Sequence, residues 1–281
     1  MARTNTRYLV FDVESTADGN LVSKIRYPGE KLSASDAIRR YRAELLEKYE
    51  SDFIPYTFQV PVAIVAAKVS AEFELIDLHA LDEPHYRSHV MTEHFWRGWQ
   101  AYSRPTLVSF NGRSFDVPLL ELAAFRYGLS LPNWFATEAR TFEQPRNRYN
   151  IESHLDLHDV LTNFGAARFT GGLNLAASLL GKPGKTDVQG CLVQDMYDAG
   201  KVAEISHYCR RDVLDTYFVF LRASVLMGRL SLEKEQKIVA RTKQWLEQRA
   251  DEVPAYRGYL DDWGDWPNPW EATPKAQARE S

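Results

Sequence analysis

Cysteine is nearly absent: Cys191 and Cys209 are the only two in 281 residues. They have neither CxxC spacing nor the histidine company of a zinc site, and they offer no disulfide framework, so both are expected to be plain thiols. Long apolar runs are missing too. No stretch approaches the roughly 18 consecutive apolar residues of a membrane span, and Met1-Ala2-Arg3-Thr4-Asn5-Thr6-Arg7 contains no apolar segment of the signal-peptide kind. A cytoplasmic protein without a membrane partner is expected. Nor is there a large excess of one charge. The net charge of −4 is not that of a surface that is one nucleic-acid footprint. It resides at the C-terminal end, where seven acids (Asp251, Glu252, Asp261, Asp262, Asp265, Glu271, Glu280) face three bases (Arg257, Lys275, Arg279). The neutral remainder leaves room for a local basic groove and neither requires nor excludes a polynucleotide substrate.

Hydrophobic residues make up 44% and charged residues 26%, which is ordinary globular composition with enough apolar mass for a sizeable core. The chain opens with Tyr8-Leu9-Val10-Phe11, a strand-forming run, and ends that run on Asp12-Val13-Glu14. Spacing two puts both carboxylates on one face of a strand, where like charges repel. A divalent cation with oxygen ligands relieves that repulsion; the alternative is a strand end whose last polar residues face water. A polar loop is expected over 15–20 and an amphipathic helix over 35–50, where Ile38, Tyr41, Leu45 and Tyr49 recur at helical spacing. The arginines of that helix either meet phosphates or form a solvated face. Residues 58–69 and 72–81 read as two strands turning near Ala71, and together with the first they look like a three-stranded antiparallel unit. A helix over 93–102, a strand over 106–110 and a helix over 118–127 follow. A polar loop covers 140–150, and 154–161 begins as a strand and turns helical. A short helix over 173–180 and long helices over 203–226 and 232–248 complete a mixed α/β sheet protein. An irregular tail is expected from about Asp251.

Two further stretches carry chemistry. In Asn111-Gly112-Arg113-Ser114-Phe115-Asp116-Val117-Pro118 a buried strand hands over to a helix, the place where open α/β sheets put their sites; Asp116 there is a third carboxylate or a helix N-cap. In the 203–226 helix, Tyr208 and Asp212 stand at i and i+4 on one face, so a phenol lies one turn from a fourth carboxylate.

In the order Asp-x-Glu, Asp, Tyr-x-x-x-Asp, these residues resemble the DEDD 3′-5′ exonuclease superfamily in its tyrosine-bearing branch, and specifically the stand-alone domains similar to the proofreading exonuclease of family-B DNA polymerases. The resemblance spans roughly 7–226. It implies an α/β ribonuclease H-like fold: a central mixed sheet, its first three strands antiparallel, flanked by helices. It further implies a metal-dependent exonuclease that hydrolyses the terminal phosphodiester of a single-stranded nucleic acid, with DNA favoured over RNA and neither excluded, to nucleoside 5′-monophosphates. Two ions, Mg²⁺ or Mn²⁺, are implied. Asp12, Glu14 and Asp212 would ligate the first, Asp12 would bridge to the second, Asp116 would act mainly through water held by the ion, and Tyr208 would orient the nucleophilic water. Asn111 and Phe115 are candidates for contacting the terminal nucleotide, Phe115 by stacking or else as core. Asp156 in His154-Leu155-Asp156 is a supporting or substrate residue, or an edge residue without either role. Lys182 and Lys185 suit phosphate as point charges, although their Gly/Pro-rich loop lacks the Walker pattern. Two other classes remain open: a catalytically silent nucleic-acid-binding module, and a metal-dependent phosphatase or nucleotidase acting on small substrates.

The expected organisation is an exonuclease domain over 1–249, carrying a helical insertion over about 17–57, and an acidic tail rich in Trp and Pro over 250–281. The tail is expected to dock on a protein partner, fold onto the domain or stay disordered.

Overall fold

The computed structural model describes residues 6–184 and 190–271, without the side chains of Gly190 and Cys191. In chain order the elements begin with Tyr8–Ala17 (β1), Gly19–Arg26 (α1), Ala34–Tyr49 (α2), Gln59–Val69 (β2), Leu75–Ala80 (β3), Ser88–Ala101 (α3), Thr106–Ser109 (β4) and Asp116–Tyr127 (α4). They continue with Pro132–Phe135 (α5), His154–Asp156 (β5), Leu157–Thr162 (α6), Gly172–Ser178 (α7), Gly190–Asp198 (α8), Val202–Leu226 (α9), Leu232–Glu247 (α10) and Pro254–Asp261 (α11).

The five strands form one sheet in the order β3-β2-β1-β4-β5. The first three are antiparallel, and β4 and β5 run parallel to β1 and to each other. This is the mixed, helix-flanked architecture of the ribonuclease H-like class.

Strand alternation sorts β1 between two cores. Leu9, Phe11 and Val13 enter a cluster with Phe95, Trp96 and Trp99 of α3, Leu119 and Leu120 of α4, and Trp134. Tyr8 and Val10 enter the opposite cluster, which is dominated by α9 through Ile205, Cys209, Val213, Tyr217 and Phe220. Asp12 and Glu14 continue the Tyr8/Val10 side. The face that buries apolar residues at its start therefore presents carboxylates at its end, toward α9.

Three local expectations are corrected. Residues 15–17 extend β1 instead of forming a loop: a bulge shifts the register between Glu14 and Ser15, and pairing resumes at Ser15↔Pro61. The insertion holds two helices, with Asp18 capping α1 by accepting from the Leu21 amide at 3.1 Å and Ser33 capping α2 by accepting from the Asp36 amide at 3.1 Å. It has its own small core of Val22, Tyr27, Ala37, Tyr41, Leu45 and Ile54. The chain after Asp251 is not irregular throughout: Pro254 starts α11, which buries Tyr256 and Tyr259 against α9 and α10, and Trp263 packs partly onto the same cluster.

Candidate metal and nucleic-acid site

Asp12, Glu14 and Asp212 are brought together although 198 to 200 sequence positions separate the helix residue from the strand pair. One oxygen from each carboxylate lies within 4.8 Å of the others. Asp212 is buried; Asp12 and Glu14 are half-buried. Cys209, one turn before Asp212, fixes the approach of α9 to β1: its Sγ lies 3.4 Å from both the Asp12 carbonyl oxygen and Asp12 Oδ2. Burial, and then the charges of Asp12, Glu14 and Asp212, push the Cys209 thiol well above its ordinary pKa. The thiol is thus a neutral donor beside three acids, and no disulfide partner is joined to it.

The cluster opens on a cleft of about 420 Å³ lined by Asp12, Glu14, Asn111, Phe115 and Asp116, by Ser15 to Ala17 of β1, by Val193 and Gln194 of α8, and by residues of the insertion. Parallel pairing of β4 with β1 ends at Val10↔Val108, so the turn that follows β4 falls beside the carboxylate end of β1. Asp116 is buried, and it is the first residue of α4 rather than its cap; Phe115 occupies the cap position and makes no side-chain cap bond. Gly112 lets the carboxylate come in close. A Cβ on Gly112 would stand 2.4 Å from Ser109 Oγ and 2.7 Å from Asp116 Oδ2, closer than packed atoms allow. Asn111 adopts a left-handed backbone (φ 63°), which Asn tolerates better than most residues, and accepts from Ser114 Oγ through its Oδ1 at 2.7 Å.

Asp156 lies beneath this turn. It is buried, and its carboxylate accepts from the Asn111 and Arg113 amides, each at 2.8 Å, and from the His158 amide at 3.0 Å, which also caps α6. Burial raises its pKa against the pull of those amides. Among the roles open to it, the geometry supports positioning: its oxygens hold the turn and it does not line the cleft. Arg113 completes the fastening, from Nε to Asp159 Oδ2 at 2.8 Å and from Nη2 to the His154 carbonyl at 2.6 Å. Ser109 Oγ and His154 Nε2 are hydrogen-bonded at 2.8 Å, and burial holds His154 well below its usual pKa, hence neutral. Sequence reasoning missed Ser109, Gly112, Arg113, His154 and Asp159. Only the Asp-x-x-Asp spacing of 156 and 159 hinted at a paired anchor.

Tyr208 is buried one helical turn before Asp212. Lys185 lies outside the described residues. Lys182 is not among the residues that line the cleft: it is buried, donates to the Gly264 carbonyl at 2.9 Å and stands 3.8 Å from the centre of the Trp263 ring, with burial lowering its pKa to about 8. It ties the Gly181–Gly184 loop to the C-terminal segment.

Comparison with known families decides the class. A family model described as "Predicted 3'-5' exonuclease related to the exonuclease domain of PolB" matches residues 51–263, well over half of the chain. The chain belongs to this predicted exonuclease family. No curated protein matches it. The family match takes in Asp116, Tyr208 and Asp212 but begins after β1 and most of the insertion. Asp12 and Glu14, which lie before the matched range, reach Asp212 through the packing of α9 on β1 and lie beside the Asn111–Asp116 turn through the pairing of β1 with β4. Among the described residues no helix is long and apolar enough to cross a membrane.

The donor set fits a hard divalent cation. Three carboxylates converge from two elements and no histidine shares the cluster, an all-oxygen set of the kind that suits Mg²⁺ or Mn²⁺.

Proposed function

We propose that the protein is a metal-dependent 3′-5′ exonuclease that removes nucleoside 5′-monophosphates from single-stranded nucleic acid, with DNA favoured over RNA. The observation that carries the reading is the convergence of Asp12, Glu14 and Asp212, the first two lining a cleft, within a fold whose family is that of predicted 3′-5′ exonucleases. Asp12, Glu14 and Asp212 would hold one ion; Asp12, with Asp116 beside it in the cleft, would serve a second. Bound ions of this kind supply Lewis-acid stabilisation of charge at phosphorus and lower the pKa of the attacking water.

The protein's own groups do the rest. Tyr208 orients the attacking water from the turn of α9 that carries Asp212. Asp156 and Arg113 hold the Asn111–Asp116 turn so that Asn111 and Phe115 meet the terminal nucleotide from a fixed backbone, a pre-organisation that lowers the cost of binding. The carboxylates must be ionised to bind metal, so activity rises with pH through the carboxylate range.

Digestion of matched DNA and RNA single strands, labelled at the 5′ end, with and without Mg²⁺ or Mn²⁺, tests this. The expected result is a metal-dependent ladder shortening from the 3′ end with mononucleotide products and faster loss of DNA. Internal fragments, or no cutting in either metal, would refute it.

A further inference from the structure

The cleft has a wall that the carboxylates do not build. Ile38 and Arg42 of α2 and the Asp52-Phe53-Ile54 segment line the same space as Asp12, Glu14 and Asp116. Among the contacts that fasten this wall to the acidic strand is the side chain of Gln59. Gln59 accepts from Ser15 Oγ at 2.5 Å and donates through Nε2 to the Ile54 carbonyl; Ser15 directly follows Glu14. Asp18 of the insertion also pairs with Arg126 of α4 at 2.8 Å.

Arg42 is the single basic side chain among the described residues that line the cleft. Other arginines of α2 are committed elsewhere, Arg39 to Asp36 at 2.5 Å and Arg40 to Glu30 at 2.6 Å. Asp52 sets the orientation of Arg42: Nε and Nη2 both donate to Asp52 Oδ2, Nε at 2.9 Å. The Nη1 edge has no partner among the described residues. An oriented guanidinium binds phosphate with less loss of side-chain freedom than a floppy one. Next to it, Phe53 leaves 55% of its surface exposed, and its ring centre lies 5.7 Å from that of Phe115. Rings already in contact leave no slot for a base between them. They form one apolar step on whose outer face a base can stack.

We infer that the 17–57 insertion is the wall that makes this site take a nucleotide chain in preference to a small phosphodiester: Arg42 receives a phosphate upstream of the scissile one, and Phe53 with Phe115 stacks a base. This rests on the exonuclease reading of the acidic site and adds its substrate selectivity. A guanidinium beside the acidic cluster favours a polyanion even though Asp52 offsets part of its charge. Asp12, Glu14, Asp116 and Asp212 repel a polyanion, and ions held among them offset that repulsion at the reacting phosphate but not one nucleotide away. Stacking on phenyl rings tolerates every base, so the wall selects for chain length and single-strandedness, not sequence.

Binding tests the wall independently of catalysis. A fluorescein-labelled short single-stranded oligodeoxynucleotide is titrated with full-length protein in Ca²⁺, read by anisotropy at several salt concentrations. Arg42→Ala should weaken binding about tenfold and reduce the slope of log affinity against log salt by about 0.7, the value for one phosphate contact on a single strand. Phe53→Ala should weaken it about tenfold with the slope unchanged. Asp52→Ala loses the orientation but keeps the guanidinium, so it should weaken binding by less than Arg42→Ala and leave the salt slope unchanged, whereas a merely structural ion pair would make Asp52→Ala lose as much as Arg42→Ala. That outcome, or wild-type affinity in both Arg42→Ala and Phe53→Ala, overturns the inference. If the variants behave as expected but the wild type cuts nothing in Mg²⁺ or Mn²⁺, the binding wall stands and the exonuclease reading falls. If the wild type cuts and the variants bind undiminished, the reverse holds.

Discussion

The two walls of the cleft are built on different cores. The acidic wall hangs from the main sheet: β1 is buried on both faces, and α9 buries most of its length against it. The other wall rests on a satellite core of six buried residues from α1, α2 and the segments that follow them. Groups that must keep their positions to a fraction of an ångström are fixed by the larger core. The groups proposed to receive the nucleotide chain are carried by the smaller one. Damage to the first should therefore appear in turnover, and damage to the second in binding.

The largest effect is expected at the acidic wall itself. Asp12→Ala or Asp212→Ala should reduce metal-dependent cleavage by about a thousandfold or more, because each would remove a proposed ligand of the ion that would supply Lewis-acid stabilisation. Without metal, the thermal midpoint of either variant should match or exceed that of the wild type, since a repelling carboxylate has gone; calorimetry in chelator checks this. Residual activity near wild type in Asp12→Ala would place the chemistry elsewhere. Next comes Tyr208→Phe, expected to lower kcat by about tenfold to a hundredfold with KM nearly unchanged, the pattern of an interaction made only in the transition state.

The other wall should answer differently. Tyr41→Ala empties part of the satellite core and should cost about 3 kcal/mol there. Steady-state kinetics on a single-stranded oligonucleotide should show KM up by about tenfold and kcat within about twofold. An equal fall in kcat would mean that the two walls are one mechanical unit. The smallest effect concerns the support of the acidic wall. His154 is neutral in the fold, its pKa depressed by burial and secondarily by Arg113. A base with a depressed folded pKa contributes stability above its unfolded value near 6.5 that is lost as pH falls, here by about 1.4 kcal/mol per pH unit. In denaturant titrations between pH 7 and pH 5 the wild type should lose stability relative to His154→Gln, whose amide can still pair with Ser109, at up to about this slope; the raised carboxyl of Asp215 acts in the opposite sense in both proteins and cancels in the difference.

What was legible in the sequence follows the range of each interaction. The Asp12/Glu14 and Tyr208/Asp212 pairs were legible because their spacing alone fixes a shared face, of a strand in one case and a helix in the other. The first three strands and the long helices were legible from periodicity. Asp156 was ambiguous because the amides it holds in the Asn111 turn lie about 45 positions away. The insertion read as an amphipathic helix, but periodicity says which face is apolar, not which surface it will cover. The side chains that bring it to the cleft, Gln59 and Arg126, lie outside it. Lys182 showed a Gly/Pro-rich loop and a positive charge, whereas its true partners are a backbone carbonyl and a tryptophan some 80 residues later. In the C-terminal segment, Asp and Gly composition masked a helix that Pro254 at its start and the Ala255, Tyr256, Tyr259 pattern did signal.

A divalent-metal centre at Asp12, Glu14 and Asp212 can be tested without reference to any substrate, by manganese binding measured with electron paramagnetic resonance on wild-type, Asp12→Ala and Asp212→Ala proteins. Specific binding by the wild type that is lost in both variants is the expected result; equal binding by all three would contradict it.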